Sequence, residues 1–278
     1  MYMEYWNLRS YPFEETPDPD FLYMAEQYEE ALARLRYVIE REKGAGILSG
    51  VFGCGKTTLI NALLRDLPGD LYRTAVIRNP RLGEREILHM ILYQLSGEDA
   101  EESGKSSLLI KLEKVMKNNL EDGRKSILII DEAHSIEEEN VFEELRLLMN
   151  LQNGRRFLSS LILSGQPDIE NKIENMKQFS QRISIRHHLG PLSSEDTVSY
   201  IRHRVKKASG DPDIFTDEAA LKIAEYSGGI PRRINQISDM CLLSGYLKKS
   251  RRIEPEAVRE ASESIGGSTP PTDTAQIR

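Results

Sequence analysis

Two hydrophobic rhythms alternate along the first 190 positions, and only one of them continues afterwards. Short apolar runs bounded by polar or turn residues occur at AGILSG, TAVIRNP, SILIIDEAH and LSSLILSGQ, and each reads as a buried strand. Around them, apolar residues recur every three to four positions. In AEQYEEALARLRYVIERE the residues Tyr28, Leu32, Leu35, Val38 and Ile39 share one helical face, and Gly44 and Gly46 end the helix. TTLINALLRDL, GEREILHMILYQLSG, SLLIKLEKVMKNNLEDG (ended by Gly123) and EENVFEELRLLMNLQN follow the same rule, and GEDAEESGKSS reads as a loop. Strands alternating with amphipathic helices predict an α/β fold, a parallel sheet lying between helices.

After SIRHHLGPLS the strand rhythm stops. Thr197–Ala208, Asp217–Tyr226, Arg232–Tyr246 and Glu254–Ser264 all read as helices, and Pro191 marks a boundary. This divides the chain into a nucleotide-binding α/β domain at 1–190, a small all-helical domain at 191–265 and a disordered tail at 266–278. The first 20 or so residues, rich in proline and aromatics (YPFEETPDPDF), form an irregular arm assigned to the first domain.

Composition narrows the class without naming it. Apolar residues make up 39% and charged residues 29%, as in a soluble globular protein, and the net charge is −7. The balance is uneven: residues 177–278 carry 16 Lys/Arg against 13 Asp/Glu, and the rest 21 against 31. Acidic overall charge argues against generic attraction to nucleic acid or anionic lipid, although RHRVKK and KKSRR concentrate positive charge in the helical half. Two cysteines, Cys54 and Cys241, are no disulfide framework for 278 residues. The polar, aromatic start is unlike a signal peptide, and no run reaches 18 apolar residues, so the expected location is cytoplasmic, with association to a membrane through a partner as the alternative.

The stretch SGVFGCGKTT carries the chemistry. Gly50-x-x-x-x-Gly55-Lys56-Thr57 matches the phosphate-binding loop and lies between a predicted strand and a predicted helix, as that motif requires. Its glycines let the backbone of Gly50, Val51, Phe52, Gly53, Cys54, Gly55, Lys56, Thr57 and Thr58 curl around an anion, with the helix N-terminus adding positive potential. Lys56 supplies a point charge for the β- and γ-phosphates, and the Thr57 hydroxyl suits Mg²⁺. In ILIIDEAH, Asp131 leaves a buried strand where it can hold the metal's water shell, and Glu132 suits a general base for water. With no guanine-reading pattern after it, the acid pair favours ATP hydrolysis. Cys54 needs only to be small there, although a thiol beside a helix N-terminus and Lys56 is oxidisable in principle.

Three weaker candidates complete a site. Gln166, or alternatively Ser164, ends a strand where it can touch the γ-phosphate or the attacking water. Arg182, with Arg186 as fallback, begins a strand-like edge segment and would be an arginine finger for a neighbouring subunit, worth ~10³–10⁵ in rate. Arg232 or Arg233 lies in the first turn of a helix begun by Pro231, where an arginine is mildly unfavourable and therefore suggests an anionic partner.

Taken together, PDPDFLY, the EAL-bearing helix, GCGKTTL, IDEAH, SGQPDI, SQRI, PLS, YIRHRV and GIPRRINQISD resemble the ExeA-type branch of the AAA+ ATPases, the general secretion pathway protein A family, over residues 1 to 250. The resemblance implies an AAA+ core, a helical lid, ATP hydrolysis between subunits of a homo-oligomer, and roles for Lys56, Thr57, Asp131, Glu132, Gln166, Arg182 and Arg232. Val51 and Cys54 depart from the acid and the Thr or Ser usual in this loop, at positions whose side chains need not touch phosphate. Secretion members also carry a membrane helix and a peptidoglycan-binding region that this sequence does not show, so envelope anchoring is not implied. The expected cofactors are ATP and Mg²⁺, and the expected partners are other copies and a protein of a secretion or envelope system. A DNA-binding regulator of the transposition-ATPase type is the alternative, on the basic stretches. A passive nucleotide switch is the third reading, and Glu132 argues against it.

Overall fold

The computed structural model describes residues 1–266; the tail expected at 266–278 lies, apart from Gly266, outside the described residues. In chain order the elements are α1 (Tyr2–Tyr5), a 3-10 turn (Pro19–Phe21), α2 (Glu26–Glu40), β1 (Ala45–Gly50), α3 (Lys56–Asp66), β2 (Tyr72–Ile77), α4 (Glu84–Ser96), α5 (Lys105–Glu121) and β3 (Lys125–Ile130). There follow a 3-10 turn (Ala133–Ser135), α6 (Glu139–Asn150), β4 (Gln152–Asn153), β5 (Arg156–Phe157), β6 (Ser159–Gly165), α7 (Asp168–Asn175), α8 (Lys177–Ser180) and β7 (Ile183–Leu189). Four helices end the described chain: α9 (Ser194–Lys207), α10 (Asp217–Ser227), α11 (Pro231–Lys248) and α12 (Pro255–Ser264). The described residues group into two compact units, Glu26–Phe52 with Leu59–Leu189, and Met1–Ala25 with Gly53–Thr58 and 190–266.

The first unit is built on a five-stranded parallel sheet in the order β2-β3-β6-β1-β7. Near-continuous apolar runs such as SILII make its strands because the interior ones are buried on both faces. On one face Ile47, Leu128, Ile130, Leu161 and Leu163 pack with Ile91, Leu112, Leu145 and Ile169 from α4, α5, α6 and α7. On the other face α2 comes so close that a Cβ at Gly46 would lie 3.1 Å from Val38 Cγ2. Helices therefore flank both faces, as the alternating pattern predicts.

Register determines where the chemistry-bearing loops emerge. Ser49 pairs with Gly165 and Ile130 with Leu163, so the segments after Gly50, Ile130 and Gly165 all leave the same carboxyl edge. The β4–β5 hairpin and helices α7 and α8 are not predicted from the sequence. Two-residue strands carry no alternation, and the short α7 buries only Ile169 and Ile173.

In the second unit the four expected helices form within a few residues of their predicted bounds. Ser193 and Thr216 cap α9 and α10, accepting from the amides of Asp196 and Ala219, and Pro231 and Pro255 start α11 and α12. Gly229 has φ +70°, and a Cβ there would fall 2.1 Å from the Leu192 carbonyl oxygen, so only glycine fits.

The arm, assigned from sequence to the α/β domain, packs within this helical unit. Trp6 Nε1 donates to the Leu242 carbonyl at 2.9 Å, and its ring fills the space beside Gly245. Arg204, only 7% exposed, donates to the carbonyls of Pro12 and Glu14 and to the Tyr200 hydroxyl, with its guanidinium 5.0 Å from the Phe21 ring centre. Aromatic density in the arm is thus core material. The basic stretches are also less open than their composition suggests. Arg204 is internal, Arg202 pairs with Asp217, and Lys248 pairs with Glu260. Among the described residues no helix is long and apolar enough to cross a membrane.

Candidate functional site

The loop after β1 bends through Gly53 at φ +84° and Gly55 at φ +92°, left-handed conformations that strain any residue with a side chain. The backbone then enters α3 at Lys56, which leaves the first-turn amides of that helix without intrahelical acceptors. Lys56 is 5% exposed and Cys54 wholly buried, whereas Phe52 projects from the loop. A thiol with no exposed surface offers an oxidant no access in this conformation, which favours the reading that Cys54 needs only to be small.

Within the same unit, α11 is stitched to the loop. The Arg232 amide, one of the orphan donors of a helix start, donates to the Gly53 carbonyl at 3.2 Å. A Cβ on Gly53 would lie 2.8 Å from Arg232 Cβ. The Arg232 guanidinium meets an anion, as its unfavourable helix position suggests, but the anion here is Glu15 of the arm, 2.6 Å away. Gln236, one turn along α11, donates to the other oxygen of Glu15 at 2.8 Å. Sequence reasoning missed Glu15, because nothing in YPFEETP signals a partner more than 200 positions away.

The strand ends of the sheet unit supply the other groups. Asp131 is 2% exposed, its amide donates to the Ile77 carbonyl, and its Oδ1 accepts from the Glu132 amide at 3.0 Å. Glu132 has φ +54°, a left-handed conformation costing about 1–3 kcal/mol for a residue of this kind, which here turns the chain sharply off β3. One position beyond the Ile130–Leu163 pair lie Asp131 and Ser164, and the Ser164 hydroxyl is buried with no hydrogen-bond partner. A buried orphan hydroxyl beside a buried carboxylate fits a water or phosphate oxygen.

Gln166 turns onto His134. Its backbone N–H donates to His134 Nδ1 at 3.3 Å, and its side-chain amide is 3.1 Å from His134 Nε2. Glu132 Oε2 is 3.5 Å from the same Nδ1. The signal for His134 was present as the last letter of DEAH. Ser49, the residue before the loop, donates to Glu170 and is 3.0 Å from His188 Nδ1. Being fully buried, that serine braces the strand end and is no nucleophile.

Arg182 lies at the far end of the sheet. Its carbonyl accepts from Ala45 at the start of β1, and its guanidinium is 6.0 Å from the Phe157 ring centre. Five residues of β1 separate that end from Gly50, about 16 Å, which is farther than an arginine side chain extends. Arg186, the fallback, is mid-strand, donates to Ser180 and has one buried guanidinium nitrogen without a partner.

The residues present fit a nucleotide with Mg²⁺. Glycine-favouring φ values at Gly53 and Gly55 and a buried lysine at the start of α3 suit a phosphate chain. Among the described residues no cluster of three His, Cys, Asp or Glu could hold a metal alone.

Comparison with known proteins agrees with this geometry. Residues 39–173 match the AAA domain family. General secretion pathway protein A of Aeromonas hydrophila is 35% identical over 96% of this chain, which spans 49% of that relative's length. Among solved structures, the Aeropyrum pernix ORC2 protein superposes with a TM-score of 0.70 at 17% identity, covering 96% of this chain and 72% of the other. The RuvB Holliday junction branch migration motor of Thermotoga maritima gives 0.61 at 19% identity, covering 91% and 73%. The chain is therefore an AAA-type protein with the α/β AAA+ fold, related in sequence to general secretion pathway protein A, and the ExeA-type resemblance of its motifs holds.

Proposed function

We propose that this protein binds ATP with Mg²⁺ and hydrolyses it as part of a homo-oligomer that acts on a protein partner of a secretion or envelope system. The observation that carries the reading is the glycine-curled loop running from a central strand into the first turn of α3, with Lys56 buried at its end. The backbone from Gly50 to Thr58 cradles the phosphates, and Lys56 neutralises β- and γ-oxygens. Thr57 and Asp131 would hold Mg²⁺, which supplies charge neutralisation on the phosphate oxygens when bound. Glu132 polarises the attacking water. Gln166 and Ser164 contact the γ-phosphate or that water, Arg232 contacts the γ-phosphate of its own chain's nucleotide, and Arg182 that of a neighbour's.

The relationship to general secretion pathway protein A supports a protein partner over DNA, and the pairing of Arg202, Arg204 and Lys248 removes much of the apparent basic stripe. The test is turnover and fluorescent-nucleotide binding by wild type and Lys56→Ala at rising protein concentration, with and without duplex DNA. Turnover that rises with concentration and disappears in the variant supports the reading. Turnover unchanged by Lys56→Ala defeats it. Duplex retention at low salt that weakens ~10³-fold by 200 mM would turn the assignment to the DNA reading.

A further inference from the structure

The turn between α2 and β1 is clamped to the residue just before β7. Gly44 has φ +82°, and a Cβ there would lie 2.8 Å from the Arg182 carbonyl oxygen, so a residue with a side chain does not fit. The same carbonyl accepts from the Ala45 amide at 3.1 Å. The two segments thus line one concave pocket of about 340 Å³ at the amino edge of the sheet, with Phe157 in its wall.

The charges of this pocket do not cancel. Arg41, Lys43 and Arg182 line it, and among the described residues none of the three forms an ion pair with a carboxylate. Glu42 is the only acid in the lining, and it is already engaged: its Oε1 accepts from Arg156 at 2.8 Å and meets the Lys125 ammonium at 3.3 Å. The C-terminal end of α2 favours Arg41 and Lys43 by about 0.3–1 kcal/mol each. That does not account for their convergence with Arg182 in one cavity. A cleft lined by one sign of charge concentrates the opposite ion. A guanidinium fork matches two phosphate oxygens at once, and an ammonium adds a point charge. A ligand that balances three cations in so small a space has to be compact and multiply negative, as pyrophosphate is.

We propose that this pocket binds a small free phosphoryl anion, with pyrophosphate best matched in charge, through Arg41, Lys43 and Arg182. It lies at the opposite end of β1 from Gly50 and needs no second subunit, so the inference does not depend on Arg182 acting on a neighbour's nucleotide. The test uses the full chain carrying Lys56→Ala, which lacks the lysine of the glycine-curled loop, in phosphate-free buffer at low salt without Mg²⁺. Calorimetric titration with pyrophosphate should show saturable binding. Adding Arg182→Gln or Lys43→Gln should weaken it at least fivefold, while Arg251→Ala, at an exposed arginine outside the pocket, should change it less than twofold. Phenylglyoxal, which modifies accessible guanidinium groups, locates the site. Pyrophosphate should slow modification of Arg41 and Arg182, followed by peptide mass spectrometry, and leave that of Arg251 unchanged. No saturable binding, or equal binding after Arg182→Gln and Lys43→Gln, overturns the proposal. Equal protection of all three arginines also overturns it, since the anion would then be screening surface charge only. Because the titration reads binding alone, a wild-type protein without turnover would defeat the ATPase reading and leave this one to be decided by the titration.

Discussion

Arg232 and Glu15 form an ion pair at 2.6 Å that joins the start of α11 to the N-terminal arm, with Gln236 holding the other carboxylate oxygen. The arm's acid thus occupies the guanidinium assigned to a γ-phosphate. Both side chains are more than two-fifths exposed, so the pair is worth at most about 1 kcal/mol. Glu15→Gln should therefore tighten ATP binding by no more than about fivefold, and only when Arg232 is present. Equal affinity in wild type and Glu15→Gln, measured by titration with a fluorescent analogue, would show that the pair does not compete with nucleotide.

Glu132, proposed to polarise the attacking water, sits on a left-handed backbone. Glu132→Gln should bind ATP normally and lose hydrolysis. Glu132→Gly and Glu132→Ala should both be inactive but differ in stability, the glycine variant being more stable by about 1 kcal/mol because it alone adopts this φ without strain. Chemical denaturation compares them, and an alanine variant at least as stable as the glycine would remove the strain argument.

Arg182, about 16 Å along the sheet from the loop of its own chain, gives a mixing experiment a definite expectation. Arg182→Ala and Glu132→Gln proteins should each be nearly inactive alone and regain partial turnover when mixed, since some interfaces then hold one intact half of each kind. Absence of any recovery across mixing ratios counts against a finger acting between subunits.

Gly245 sits inside α11, where glycine costs up to about 1 kcal/mol relative to alanine. The reason is Trp6, whose Cζ2 would lie 2.7 Å from a Cβ at that position. Gly245→Ala should nevertheless destabilise the protein by about 1–3 kcal/mol, because overpacking outweighs the gain in helix propensity. Trp6 is the only tryptophan of the chain, so its emission reports the displacement directly. A more stable variant with unchanged emission would contradict the packing.

What could be read from the sequence divides along local and long-range lines. The places of Lys56 at the start of α3 and of Asp131 just after β3 were legible because a loop motif and a strand's apolar run are each contiguous in the chain. The four helices after Gly190 were legible because Ser193, Thr216, Pro231 and Pro255 mark their starts locally. Arg204 was not, since an arginine in RHRVKK looks solvated until distant carbonyls of Pro12 and Glu14 come to it. The Arg232–Glu15 pair and the His134–Gln166 contact were hidden for the same reason. Each joins residues whose separation in the chain carries no period and no composition signal.

The buried guanidinium of Arg204 bears on how the chain can be shortened. A truncation beginning at Glu26, natural if the first 25 residues are taken for a flexible leader, would strip Arg204 of both carbonyl acceptors and of the Phe21 ring. It would also empty the space that Trp6 occupies beside Gly245. For expression or domain grafting, the arm has to travel with the four helices that follow Gly190, although nearly the whole α/β sheet lies between them in sequence.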